Sequence, residues 1–230
     1  LPGGILTATG NGALVTTGFT DPLVTITGPA VGTHQIAADS GAMFTLTGAA
    51  TALDLETGLT LGTDQPLQHM GPLLQATGTA IDTYQFLALD PALLNASTAL
   101  LLLGANGSLT SATDLVGLNT MSHLNATLTA GTGLITVLGG TLTVTAGALF
   151  NVDGGSLLKV GTGNLVHLDQ GATINLLNGP LVSVLGGSMF NVVQGSLASF
   201  GGTGANVLHL HDTPLCSGFC QPLAATGFFV

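Results

Sequence analysis

The sequence predicts an all-β chain wound as a β-solenoid. Three observations carry that prediction: a run of eight-residue blocks, an apolar–polar–apolar triplet inside each block, and a glycine closing each block. From residue 148 to residue 195 the chain reads ALFNVDGG, SLLKVGTG, NLVHLDQG, ATINLLNG, PLVSVLGG and SMFNVVQG. The third and fifth positions are apolar throughout: Phe150 and Val152, Leu158 and Val160, Val166 and Leu168, Ile174 and Leu176, Val182 and Val184, Phe190 and Val192. The fourth is always polar: Asn151, Lys159, His167, Asn175, Ser183 and Asn191. Side chains alternate faces along a strand, so positions three and five share one face and position four takes the other. Each octad is therefore a short strand with one buried face. An Asp at Val152 should abolish folding, whereas an Asp at Asn151 should be tolerated.

The remaining positions supply corners, because Gly, Asn, Asp and Gln cluster there and Gly adopts positive φ without a Cβ penalty. The pattern extends upstream through GLITVLGG (133–140) and TLTVTAG (141–147), and downstream to Leu208, His209 and Leu210. A longer echo joins Phe150, Asn151 and Val152 to Phe190, Asn191 and Val192, and Asn164 through His167 to Asn206 through His209. If the echo reflects stacking, successive coils carry similar residues in register. Two or three octads are expected to close one coil, yet the echo spans five, so the cross-section stays open.

The N-terminal part follows a looser form of the rule, in PLVTITG ending at Gly28, AMFTLTG at Gly48 and PLLQATG at Gly78. Between about residues 79 and 131 the period is hard to follow, and 93–103 reads equally as a short helix or a buried strand. Three segments follow: an irregular Thr- and Gly-rich β region over 1–131, regular octads over 132–212, and a Cys loop with an apolar tail over 213–230. An antiparallel β-sandwich is the rival architecture. The uniform octad speaks against it, since hairpin loops vary in length and turn chemistry.

Composition narrows the function classes. One Lys, no Arg and eleven Asp or Glu give a net charge of -10, with 5% charged residues against roughly 25% in an ordinary soluble domain. Such a surface cannot neutralise a run of phosphates, so no nucleic-acid partner is expected. No membrane span is expected either, because the most apolar stretch, 87–105, is interrupted by Asp90, Pro91, Asn95, Ser97 and Thr98. The sequence opens on Leu1. That reads as a mature, secreted chain whose signal peptide has been removed, placing it outside the cell or on its surface. In that compartment Cys216 and Cys220 are expected to close a local disulfide.

The glycine-punctuated, Thr- and Asn-rich, Lys-poor octads resemble the repeats of bacterial secreted β-solenoid surface proteins, the filamentous-haemagglutinin-like adhesins among them. The resemblance covers residues 133–212 well and 1–78 loosely. It implies a cell-surface or extracellular location and a role in adhesion or assembly. It implies no catalytic residue.

A search for chemistry finds little, and the chain is expected to be neither an enzyme nor a cofactor protein. Lys159 holds an outward fourth position, where a solvated charge is the ordinary reading. Asp54 and Glu56 share a strand face without a third group beside them. His209 and His211 form an HxH that would approach His167 if the echo reflects stacking, but these histidines fill slots used elsewhere by Asn, Ser and Thr, and no metal site is assigned. Sequons stand at Asn95, Asn106 and Asn125. Thr-x-Thr pairs at Thr25/Thr27, Thr45/Thr47, Thr127/Thr129 and Thr143/Thr145 suit ice binding only if they form one flat ladder, and the run 148–195 has none.

The second octad position points to assembly. It shares parity with the polar fourth position, yet Leu149, Leu157, Leu165, Leu181, Met189 and Leu197 occupy it. Either they roll inward at the corner or they form an exposed apolar ridge of the kind that marks an interface. The ends, Leu1 to Leu6 and Phe228, Phe229 and Val230, read as adhesive rather than capped. The expected function is therefore a structural subunit of an extracellular filament, sheath or surface layer, with copies of itself as partners. The runner-up is a cell-surface adhesin or passenger domain, and an ice-binding protein is the weakest reading.

Overall fold

The computed structural model describes residues 72–210, apart from residues at 78–79 and 90–92, together with the strand backbones placed between residues 6 and 69; 211–230 lie outside it. The first strands are β1 (Leu6–Thr9), β2 (Ala13–Val15), β3 (Val24–Thr27), β4 (His34–Thr47), β5 (Ala52–Asp54) and β6 (Leu67–His69). Then come β7 (Leu74–Thr77), β8 (Thr79–Asp90), β9 (Leu93–Ala96), β10 (Leu101–Leu103), β11 (Ser108–Ser111), β12 (Val116–Leu118) and β13 (His123–Thr127). The octad region supplies β14 (Gly133–Leu138), β15 (Thr141–Val144), β16 (Phe150–Val152), β17 (Leu157–Thr162), β18 (Asn164–Asp169), β19 (Thr173–Leu176) and β20 (Val182–Val184). It ends with β21 (Met189–Gln194), β22 (Ala198–Phe200) and β23 (Val207–Leu210).

Every pairing among these strands is parallel, and no consecutive strands pair except β5 with β6. That excludes the antiparallel sandwich: the described residues form a β-solenoid. A coil has four faces. Phe150 pairs with Val182, Leu158 with Phe190 and Val166 with Ala198, a separation of 32 residues that also appears in the corner bonds. One coil is thus four octads, rather than two or three. The first face carries β16 and β20, the second β17 and β21, the third β18 and β22, and the fourth β19 and β23. β4 and β8 run over the fourth and first faces without a break, with the bend between Ala38 and Ala42 seen as a shift of register. The sheets also cross the 131/132 boundary, where β10 pairs with β14 and β11 with β15. The segment 93–103 holds two strands, β9 and β10, and no helix.

The forty-residue echo is not a stacking signal. Forty residues are one coil and one octad, so the repeated triplet has moved on by one face: Phe150 stacks under Val182, and Phe190 over Leu158.

Third and fifth octad positions form continuous inward columns. On the first face Leu87, Val116, Phe150 and Val182 are aligned and fully buried, and Leu94, Leu124 and Leu158 do the same on the second. Burying a side chain of this kind contributes about 1.5–3 kcal/mol. Because the columns repeat at every coil, the core is one continuous rod.

Corners alternate in kind. Asn119 to Ser122, Asp153 to Ser156 and Leu185 to Ser188 stack as tight turns, each closed by a bond from the fourth residue's N–H to the first residue's carbonyl. Both central residues have positive φ in each: Thr120 and Met121, Gly154 and Gly155, Gly186 and Gly187. This is the pattern of a type I′ turn. The serines continue the ladder between coils, since Ser122 N–H donates to Ser156 Oγ and Ser156 N–H to Ser188 Oγ, both at 3.0 Å. A second kind of corner lies at Gly147 with Gly179 and at Gly163 with Gly195. There the backbones approach so closely that a Cβ on Gly179 would collide with the Gly147 carbonyl oxygen, and one on Gly195 with that of Gly163. The corner between the third and fourth faces holds Gln170 and Gly171, both at positive φ.

Candidate assembly surface

The outward columns are largely polar. On the second face Asn95, Asn125, Lys159 and Asn191 are in register, and Asn125 Nδ2 donates to Asn95 Oδ1 at 3.2 Å. Two sequon asparagines therefore form a side-chain ladder, while the third, Asn106, sits exposed at a corner. On the first face Asn151 is held from below: its Nδ2 donates to Asp114 Oδ2 at 3.0 Å, while Asp114 Oδ1 accepts the Ala148 N–H at 2.6 Å. Asn151 Oδ1 is buried without a partner. The expectation that an Asp is harmless at Asn151 therefore fails, because it would face the Asp114 carboxylate.

Asp114 belongs to a class that the octads conceal. Asn164 occupies the equivalent place before its own Leu-Val pair, and its Oδ1 accepts the Ser196 N–H from the next coil at 3.1 Å. Asn206 Oδ1 accepts the N–H groups of Gly171 and Ala172, both at 3.0 Å. Each of these side chains satisfies a corner N–H that would otherwise be an orphan donor. The signal available in the sequence was the polar residue directly before an apolar pair. At the corner after β18 Asp169 accepts bonds from the N–H of Gln170 at 2.7 Å and from the N–H of Thr203 at 3.0 Å, and also from the Thr203 hydroxyl. The Thr203 hydroxyl, followed by those two N–H groups, holds the Asp169 carboxyl below the usual carboxylate range.

His167 and His209 do not meet. His167 stands on the third face in register with Thr136 and Ser199, and its Nδ1 lies 2.8 Å from Ser199 Oγ; His209 stands on the fourth face over Asn175. The Thr-x-Thr pairs are likewise dispersed. Thr25 falls on the third face, Thr45 on the first, Thr127 on the second and Thr143 on the fourth. They cannot form one flat ladder.

The second-position ridge needs correction. Leu149, Leu165 and Leu181 are fully buried, as are Phe150, Val166 and Val182 beside them. After the Gly147, Gly163 and Gly179 corners two successive side chains turn inward, so strand alternation does not yet apply there. Their N–H groups both bond the next coil, as when Leu149 reaches the Pro180 carbonyl and Phe150 that of Leu181. The octads that follow the type I′ corners leave this position on the flank, where Leu157 is half-buried and Met189 is 63% exposed, in one column with His123. Leu197 has the Leu165 kind of place, reached through the Ser196 carbonyl, and is only half-buried because it lies in the last described coil.

That coil is where apolar surface gathers. Phe200 stacks on Leu168 in the same inward column, yet Leu168 is fully buried and Phe200 is 55% exposed. Val184, Phe190, Val192, Leu208 and Leu210 pack on the core below but are only partly covered. Among the described residues, β20 to β23 have a partner strand on one side alone. Cys216, Cys220, Phe228, Phe229 and Val230, together with His211 and Glu56, lie outside the described residues. No protein-family model, curated protein or solved structure matches the chain.

Proposed function

We propose that the chain is a structural subunit of an extracellular filament, sheath or surface layer that polymerises end to end with copies of itself. The observation that carries this reading is the half-open last described coil, with Phe200 at 55% exposure above Ala76, Leu103, Val137 and Leu168, which are buried in the same column. An open parallel edge offers backbone N–H and C=O groups for further pairing, and the apolar column beneath offers burial of about 1.5–3 kcal/mol for each large side chain covered. The resemblance to secreted solenoid surface proteins supports an extracellular site and keeps an adhesin as the second reading. With no Trp and one Tyr, the chain is poor in the anchors a ligand surface uses.

The tail Phe228-Phe229-Val230 belongs to the contact in this reading. Sedimentation of the intact chain across a concentration series should show growing polymers, with little salt dependence because few charges can be screened. Deleting residues 226–230 should raise the concentration needed. A monomer at every concentration overturns the reading, while equal assembly without the tail leaves the open edge as the sole contact.

A further inference from the structure

Resting on that assembly reading, we infer that the occupant of the open coil is the first coil of a second copy, docked in the register that the chain's own ladders already define. The pairings can be followed from one end to the other. On the first face Leu6, Phe44, Leu87, Val116, Phe150 and Val182 form one register column, and Ala8 leads in the same way to Val184. On the third face Val24 leads through Leu74, Leu101, Ile135 and Val166 to Ala198, and Ile26 leads to Phe200. On the fourth, Ile36 leads to Leu208 and Ala38 to Leu210.

On these three faces each such column begins and ends on an apolar residue, and the columns between them begin and end on polar or small ones. On the second face Leu14 leads to Phe190, but the outward column that ends on Asn191 begins on Val15. Thr7 leads to Ser183, Thr25 to Ser199 and Ala37 to His209. The described strands open on the first face with β1 and close on the fourth with β23, so the next strand in the winding order is again a first-face strand. All face ladders are parallel, so a second copy translated along the axis meets the last coil with the polarity it needs. Leu6 then falls beside Val182, Ile26 beside Phe200 and Ile36 beside Leu208. A one-residue slip would set Thr25 against an apolar column and lose the match on the first, third and fourth faces at once. The octad grammar stops at Leu210, and Pro214 and Pro222 interrupt the sequence that follows, so residues 211–230 do not repeat the triplets these columns take. A contact that joins one end to the opposite end does not close, and it yields a filament.

Adjacent rungs stand about 4.8 Å apart, inside the Cα separation of about 4.4–6.8 Å that a disulfide spans. The test uses full-length chains with Cys216 and Cys220 changed to Ser, carrying either Thr25→Cys or Ser199→Cys. Under mild oxidation neither preparation should cross-link alone, and mixing them should convert monomer to a reducible dimer. Thr7→Cys mixed with Ser183→Cys is the second pair, and Thr25→Cys mixed with Ser183→Cys, on different faces, is the control that should stay monomeric. Peptide mapping of the linked product in chains that keep Cys216 and Cys220 repeats the reading without the serine changes. Polymers that sediment but link only in the control mixture, or in none, overturn this register and leave assembly standing. Chains that neither sediment nor link overturn both.

Discussion

Replacing Val152 and Asn151 in turn by Asp tests the inward and outward assignment at adjacent residues. Val152 is fully buried between Leu118 and Val184 in its column, so Val152→Asp forfeits about 1.5–3 kcal/mol of burial. It also leaves an uncompensated carboxylate in an apolar rod, which costs several kcal/mol more. Against a typical stability of about 5–15 kcal/mol, most or all of the fold is lost. Asn151→Asp fails differently. It removes the bond to Asp114 Oδ2 at 3.0 Å and sets two carboxylates together, for a penalty of about 2–4 kcal/mol at neutral pH. Like charges at that range delay ionisation, so the introduced carboxyl keeps its proton to higher pH than in the unfolded chain. Its contribution is therefore favourable below the unfolded value and is lost as pH rises through the folded one. Urea denaturation followed by circular dichroism, at neutral pH and near pH 4, should show the Asn151→Asp deficit shrinking in acid, and Asp114→Asn should restore most of it. Equal tolerance at the two positions, or an Asn151→Asp deficit that ignores pH, would refute the reasoning.

Two further outcomes follow from the corners, and a third concerns the two cysteines. Gly179→Ala drives a Cβ into the Gly147 carbonyl and should cost more than Gly187→Ala, which meets nothing within 4 Å and bears only its φ of 74°. Overpacking of about 1–3 kcal/mol against roughly 1 kcal/mol separates them in denaturant midpoints, and equal effects would contradict the stacking of these corners. Thr203→Val should let the Asp169 carboxyl titrate closer to its ordinary range by NMR. Because that carboxyl is held low in the fold, the stability difference from wild type should be present at neutral pH and fade as pH falls through the folded value. Intact mass before and after reduction tests the Cys216–Cys220 bridge, and two thiols that alkylate without reduction would rule it out.

The octads were legible because glycine marks each corner and a polar residue centres each strand. The number of octads per coil was not, since the most visible echo advances by a coil plus one face and so points to no stacking partner. The loss of period between residues 79 and 131 also has a physical source. The corner Asn119 to Ser122 is the same turn as Asp153 to Ser156, but Thr120 and Met121 hold the positive-φ places that Gly154 and Gly155 hold one coil on. Left-handed backbone costs such residues about 1–2 kcal/mol each, so a sequence reader expects glycine there. The buried Leu149, Leu165 and Leu181 were misread in part for a related reason: strict alternation holds within a strand and fails at the bend that precedes it. The corner roles of Asp114 and Asn206 depend on a neighbour one coil away, so the polar residue before each apolar pair marks the place but not the partner.

Self-assembly along the solenoid axis is most directly tested by cryo-electron microscopy of the intact protein at rising concentration. Among the described strands the third face carries six rungs and the second face seven, which at about 4.8 Å per rung sets an axial repeat of about 29–34 Å. Unbranched filaments that lengthen with concentration and show that repeat, with strands perpendicular to the axis, are the predicted result. Dispersed single particles at every concentration would contradict it.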